Sequence, residues 1–158
     1  PGIATGQRLR LTGEGEGGTL GGPPGDLYVV IFVREHEFFQ RDGNDLHCAV
    51  PLAFTTLALG GEIKVPGIEA EQTVKIPEST QTGTTFRLRG KGMPDVSGRG
   101  HGDLLVTVQA VTPKKLNKEQ KKLLEQLAAT LPEQKIKPSA REEEDDRGIF
   151  GKVKDIFG

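Results

Sequence analysis

The chain has little cysteine, few apolar side chains and no long hydrophobic stretch, and each shortage excludes a class of protein. The single Cys48 cannot form an internal disulfide, and the scattered His36, His47 and His101 do not give it the spacing of a zinc site. Apolar residues are 34% of the 158, and no apolar run approaches the roughly 20 residues of a membrane span. The net charge of −1 provides no basic footprint for nucleic acid. We therefore expect no metal, membrane or nucleic-acid partner, and a reducing compartment such as the cytoplasm.

Glycine is plentiful instead. With 22 glycines and 10 prolines, about a fifth of the chain favours turns, so its cores must be thin. The chain begins Pro1-Gly2-Ile3 rather than with methionine, so we expect it to be a piece of a longer protein.

The strongest pattern is an internal repeat. A shift of 77 residues, without a gap, places the segment from Thr5 to Val33 on a second segment that begins at Thr82. The identical pairs include Thr5 and Thr82, Arg10 and Arg87, Leu11 and Leu88, Gly13 and Gly90, Gly25 and Gly102, Asp26 and Asp103, and Leu27 and Leu104. This much ungapped identity predicts two copies of one structural module.

Each copy has the pattern of two β-strands around a glycine turn. Leu9 and Leu11 alternate with arginines, which is typical of a half-buried strand. A Gly-Asp-Leu triplet then opens a more apolar strand, at Leu27–Val33 and again at Leu104–Val111. Because strand patterns also precede the second copy, we expect the end of one β-module followed by a complete one.

The segment between the copies carries further elements. Alternation predicts strands at Asn44–Val50, Glu62–Val65 and Gln72–Ile76, and Leu52–Leu59 favours a short helix that ends at the glycine pair Gly60-Gly61. The predicted fold class is mainly β, with tandem small β-sandwich-like modules of antiparallel strands.

After Pro113 the period becomes helical. One stripe of leucines has helical spacing: Leu116, Leu123, Leu124, Leu127 and Leu131. Asn117 and Gln120 resemble a capping box, and Pro132 ends the helix. At roughly 14 residues such a helix is marginal alone and needs a surface to pack on. That surface is either its own module or the same helix of a second subunit.

The chain is therefore expected to have four segments: residues 1–34, 35–112, 113–132 and 133–158. The last contains the acidic run Glu142–Asp146, interpreted as a solvated linker, and the short amphipathic stretch Ile149–Phe157. That stretch is too short to hold a membrane alone, so we expect it to dock on an apolar groove.

An ordered set of short motifs resembles the DnaJ (J-domain) co-chaperone family. The motifs run from Pro1 to about Leu131 and include Thr-Gly-Gln-Arg-Leu-Arg-Leu from Thr5, Pro-Gly-Asp-Leu-Tyr-Val from Pro24, His36-x-x-Phe39-x-Arg41-x-Gly43, Ala58-Leu59-Gly60-Gly61-Glu62-Ile63, and Arg89-Gly90-Lys91-Gly92-Met93-Pro94. The resemblance implies two successive β-domains and a terminal helix that pairs two subunits. It also implies that the J-domain and the cysteine-rich zinc module lie outside this chain, so no zinc or other cofactor is expected here.

The resemblance further implies a function. A fragment of this kind is expected to bind exposed hydrophobic segments of unfolded polypeptides for delivery to a DnaK-type chaperone through the J-domain, and to perform no enzymatic reaction. In that family the phenylalanine at the Phe39 position lies beside a client groove of the first β-domain. For the Phe39 side chain, a position in the groove and a position in the core are equally favoured. For Leu9 and Leu11, a core position is favoured over a groove position. The resemblance favours a homodimer through the leucine stripe.

Other candidates have plainer interpretations. The glycine-rich stretch from Gly13 to Gly18 matches a dinucleotide-binding pattern, but glycines and prolines follow it instead of a helix, so a turn is favoured. Asp26 and Asp103 are expected to accept turn N–H groups instead of acting as an acid–base pair. Cys48 is interpreted as a small buried hydrophobe. The rival functional hypothesis is a β-scaffold and dimer spacer without a client site.

Overall fold

A computed structural model describes residues 1–135 of the chain. The acidic run and the amphipathic stretch of the tail lie outside these residues. One compact unit spans Pro1–Lys114, and a second begins at Lys115. Most of the regular structure is strand, so the predicted mainly β class is confirmed.

Eight strands and two α-helices follow one another within residues 1–135. The strands are β1 (Arg8–Leu11), β2 (Leu27–Val30), β3 (Gln40–Asp42), β4 (Asp45–Ala53), β5 (Gly61–Val65), β6 (Gln72–Ile76), β7 (Thr85–Leu88) and β8 (Leu104–Val111). The helices are α1 (Phe54–Leu59), between β4 and β5, and α2 (Lys118–Thr130). The strands form a β1-β2 hairpin, a four-stranded sheet in the order β3-β4-β8-β7, and a β5-β6 hairpin.

The four-stranded sheet is built on a parallel pair. Strands β4 and β8 run side by side from Leu46 opposite Leu104 to Ala53 opposite Val111, while every other pair is antiparallel. The antiparallel expectation therefore holds for the hairpins and is wrong for this central pair. Parallel partners need a long crossover, and here α1 and the two hairpin strands β5 and β6 lie within it.

The core lies on one face of this sheet, which α1 and the β5-β6 hairpin cover. Its buried apolar residues are Phe39, Leu46, Cys48, Leu57, Val65, Val74, Ile76, Leu104, Val106 and Val108. They come from the four-stranded sheet, the residue before β3, the β5-β6 hairpin and α1, so the arrangement is sandwich-like, as expected.

Helix α1 begins two residues later than predicted, because β4 continues to Ala53. Its end is as predicted. Gly60 has a φ of 78°, and a Cβ there would come within 2.8 Å of the Ile76 carbonyl oxygen.

Helix α2 begins with the expected capping box. The Asn117 side chain accepts from the Gln120 N–H at 2.8 Å, and the Gln120 side chain accepts from the Asn117 N–H at 2.9 Å. No residue of α2 is buried. None of the helices within residues 1–135 has the length and apolar content to cross a membrane.

Candidate functional site

The sequence repeat is also a repeat of structure. In the β1-β2 hairpin Arg8 lies opposite Val30, and in the β7-β8 pair Thr85 lies opposite Thr107, which is the same register displaced by 77 residues. The predicted strand pair of each copy is confirmed.

A carboxylate fixes the turn in the first copy. Asp26 accepts from Arg10 Nε at 2.6 Å and from the Gly13 N–H at 3.1 Å. Gly13 has a φ of 77°, which favours glycine. The Gly15 N–H then donates to the Gly25 carbonyl at 2.7 Å, so the glycine-rich stretch forms a turn, as the sequence indicated.

The second copy repeats this network. Asp103 accepts from Arg87 Nη1 at 2.7 Å and from the Gly90 N–H at 3.0 Å. The Gly90 N–H, and after it the Arg87 guanidinium, hold the pKa of Asp103 below its ordinary value. Both aspartates thus stabilise turns, and the structural interpretation is confirmed.

Leu9 and Leu11 do not lie in the core, the position that the sequence favoured for them. They remain 47% and 43% exposed on β1. Their equivalents in the second copy, Phe86 and Leu88, pack against the core. The repeat therefore indicates that Leu9 and Leu11 belong to a core-type face that has no cover within residues 1–135.

Phe39 is buried, with 7% of its surface exposed, and it belongs to the core beside β3. It lies next to the four-stranded sheet, which is separate from the β1-β2 hairpin of the first copy. The resemblance, by contrast, associated this position with the first β-domain. Its ring meets that of Phe38 edge-to-face at 4.8 Å between centroids and that of His36 at 5.1 Å. Phe38 is only half-buried, so the two adjacent phenylalanines divide between core and surface.

An open groove of roughly 530 Å³ lies beside Phe38 at the edge of β4. Its lining residues are Glu37, Phe38, Gln40, His47, Cys48, Ala49 and Thr107. Burial raises the pKa of the Cys48 thiol, so this cysteine is a small buried hydrophobe, as predicted. Sequence reasoning singled out Phe39 but not this groove, since Ala49 and Thr107 reach it only through the parallel strand pairing.

Among residues 1–135, no three His, Cys, Asp or Glu side chains lie together as a metal site. Every buried side-chain nitrogen or oxygen in this part of the chain has a hydrogen-bond partner.

The leucines predicted for dimerisation lie on and beside α2. Leu116, Leu123, Leu127 and Leu131 are between 43% and 60% exposed, and Leu124 is half-buried. The stripe therefore leaves apolar surface open to solvent.

Comparison with known proteins identifies the class of protein to which this fold belongs. Residues 1–113 match the model of the DnaJ C-terminal domain, so the chain belongs to the DnaJ C-terminal domain family.

Similar curated proteins cover nearly the whole chain. It is 51% identical over 156 residues to a protein of Shouchella clausii named Chaperone protein DnaJ. Proteins of the same name from Halalkalibacterium halodurans and Brevibacillus choshinensis are 50% and 52% identical over the same length. Each alignment includes 99% of this chain and 40% of the relative, so the chain spans less than half the length of these relatives.

Proposed function

We propose that this chain is the polypeptide-binding and dimerising part of a DnaJ-type co-chaperone. It binds exposed hydrophobic segments of unfolded polypeptides, and a J-domain elsewhere in the longer protein delivers them to a DnaK-type ATPase. The chain holds no cofactor and carries out no covalent reaction. Its compartment is the cytoplasm.

The observation that carries this proposal is the alignment of 99% of the chain with proteins named as chaperones. The surface is suited to the task. Phe38 stands beside an open groove at a strand edge, and an edge of this kind can add an extended peptide as a further strand.

Dimerisation supports the same function. Two chains that pair through the α2 leucines present two weak client sites at once, and a client that spans both gains affinity without a new contact. Four of the five leucine side chains are exposed in the single chain, which leaves them accessible to a partner.

Two measurements test the proposal. We expect the chain to suppress light scattering by a denatured model protein at several-fold molar excess; no suppression would contradict client binding.

For the dimer, we expect sedimentation equilibrium to give twice the chain mass at roughly tens of micromolar, a range in which such pairs associate. A monomer there would contradict the dimer, and Leu123→Lys with Leu127→Lys should abolish it.

The alternative function is a β-scaffold and dimer spacer without a client site, which the burial of Phe39 favours. Phe39→Ala separates the two. If Phe39 acts only in the core, the variant loses about 3–5 kcal/mol of unfolding free energy. If Phe39 also binds clients, the variant should bind peptide more weakly than the wild type even under conditions in which it stays folded.

A further inference from the structure

The segment that leads into β3 is bound by a histidine side chain. The backbone N–H groups of Phe38 and Phe39 both donate to Nδ1 of His36, at 3.0 Å and 3.3 Å. A ring nitrogen of histidine accepts hydrogen bonds only while it carries no proton of its own. These two bonds, the His36 cap, therefore require a neutral imidazole whose one ring proton lies on Nε2.

The His36 cap adjoins an aromatic cluster. The ring of His36 lies 5.1 Å from the ring of Phe39, and the rings of Phe38 and Phe39 meet edge-to-face at 4.8 Å between centroids. Phe39 is buried in the core, whereas Phe38 is half-buried and lines the groove beside β4. A change at the cap is therefore a change at the backbone of two phenylalanines, one in the core and one at the groove.

The ring of His36 is accessible to a proton from solvent. His36 is exposed, and the charged residues next to it in the chain are Arg34, Glu35 and Glu37. Within residues 1–135 its ring forms no ion pair, and its hydrogen bonds are those of the cap. Proton uptake at Nδ1 therefore competes with the two bonds of the cap and with no other polar contact in this part of the chain.

The adjoining strands β3 and β4 carry titratable groups of their own. His47 and Cys48 line the groove, and burial raises the pKa of the Cys48 thiol, so that thiol stays neutral. The Arg41 guanidinium binds backbone carbonyls, and Asp42 and Asp45 lie at the far end of the β3-β4 pair. Among the described groove residues, His47 is thus the other group that changes charge in the imidazole range.

We propose that His36 is an acid-sensitive cap, whose neutral ring holds the backbone of Phe38 and Phe39 and whose protonation at Nδ1 releases it. The protonated ring has an N–H at each nitrogen and cannot accept. Because imidazole titrates at about pH 6.5, the cap is complete well above that pH and is lost as the pH falls through this range. The inference goes beyond the proposed function and does not depend on client binding.

The first measurement is the nitrogen-15 spectrum of the His36 ring in the full chain. At about pH 8, where imidazole is neutral, we expect an unprotonated Nδ1 and a protonated Nε2. The opposite tautomer would overturn the proposal, because a protonated Nδ1 cannot accept from the two N–H groups.

Two variants separate the acceptor from its proton. His36→Asn places an amide oxygen at the position of Nδ1, so it keeps an acceptor that does not titrate, whereas His36→Ala removes the acceptor. The quantity compared is the protection factor of the Phe38 and Phe39 amides, which is the slowing of hydrogen exchange relative to an unstructured peptide at the same pH.

We expect the wild-type protection factors to fall about fivefold between about pH 7.5 and pH 5.5, the loss of one ordinary hydrogen bond. In His36→Asn they should stay high at both pH values, and in His36→Ala they should be low at both. The pH dependence would then follow the ring of His36 and not the acceptor position itself.

His47→Gln is the matched control, because it removes the other titrating ring at the groove and leaves the cap in place. It should keep the pH dependence of the wild type. Wild-type protection that does not change over this range would overturn the proposal. A fall that persists in His36→Asn, or that disappears in His47→Gln, would overturn it as well, because the titrating group would then be another residue.

Discussion

The β1-β2 hairpin and the β7-β8 pair are two copies of one two-stranded motif with different neighbours. Each has the same register and the same aspartate that binds an arginine and a glycine N–H. They differ in burial: Leu27 is 44% exposed on β2, while its equivalent Leu104 on β8 is fully buried. The hairpin geometry therefore follows from local hydrogen bonds, and burial follows from neighbouring strands.

The strand β4 is the neighbour that makes the burial of the two copies differ. It pairs with β8, and the Asp103 N–H donates to the Asp45 carboxylate at 2.7 Å. Strand β2 has β1 as its only partner among the described residues. A local pattern thus reproduces a turn, but only a long-range contact converts its apolar face into a core.

The largest expected difference between the copies is at a pair of equivalent glycines. A Cβ at Gly102 would overlap the Asn44 backbone carbonyl, whereas a Cβ at Gly25 would meet only the Glu16 carbonyl oxygen at 3.9 Å. We expect Gly102→Ala to cost at least about 4 kcal/mol of unfolding free energy and Gly25→Ala less than about 1 kcal/mol. Urea unfolding followed by circular dichroism measures both, and equal losses would show that the close approach of Asn44, just before β4, does not impose the difference.

The next difference concerns the leucines that open β2 and β8. Leu104→Ala removes a fully buried side chain, so we expect a loss of about 3 kcal/mol. Leu27→Ala removes an exposed one and should cost less than about 1 kcal/mol. Thermal melts of the two variants give the comparison, and a large loss in Leu27→Ala would reveal a cover over β2 in solution.

A smaller loss of stability is expected from changing Arg41, which binds the segment before β1. Arg41 donates to the carbonyls of Gly2, Ile3 and Gly43 at 2.6–2.7 Å. A lysine cannot reproduce this fork, so Arg41→Lys should cost about 1 kcal/mol. Hydrogen exchange of the β1 amides should rise in parallel. The control is Arg8→Lys, whose replacement on exposed β1 should change neither quantity.

The smallest expected effect is on the pH dependence of the stability of the folded chain. Because the pKa of Asp103 is lowered in the folded chain, its contribution to stability is complete above the unfolded value of about 3.9 and is lost as the pH falls through the folded value. Asp103→Asn should lower stability at neutral pH and flatten the decline between about pH 4 and pH 2. Denaturant titrations across that range check it; an unaltered slope in the variant would contradict the assignment.

Local features were predictable from the sequence. The constant spacing of Arg10 and Asp26 from their equivalents predicted both strand pairs, and Asn117 with Gln120 predicted the start of α2. These features depend on hydrogen bonds between residues close in the chain, which is why the residue types alone carry them.

Long-range features were not predictable in the same way. The parallel alignment of β4 with β8 joins residues more than fifty positions apart, and no local period encodes it. The exposure of Leu9 was missed for the same reason, since alternation indicates which face is apolar but not whether anything covers it. The His36 side chain accepts from the N–H groups of Phe38 and Phe39, a contact that the sequence did not indicate.

We propose that this chain binds unfolded polypeptide at a defined surface. The most direct measurement is peptide-resolved hydrogen exchange of the whole chain with and without a permanently unfolded polypeptide. We expect slower exchange in peptides that cover residues 37–50, with little change in β7. Unchanged exchange throughout the chain, at polypeptide concentrations that saturate aggregation suppression, would contradict it.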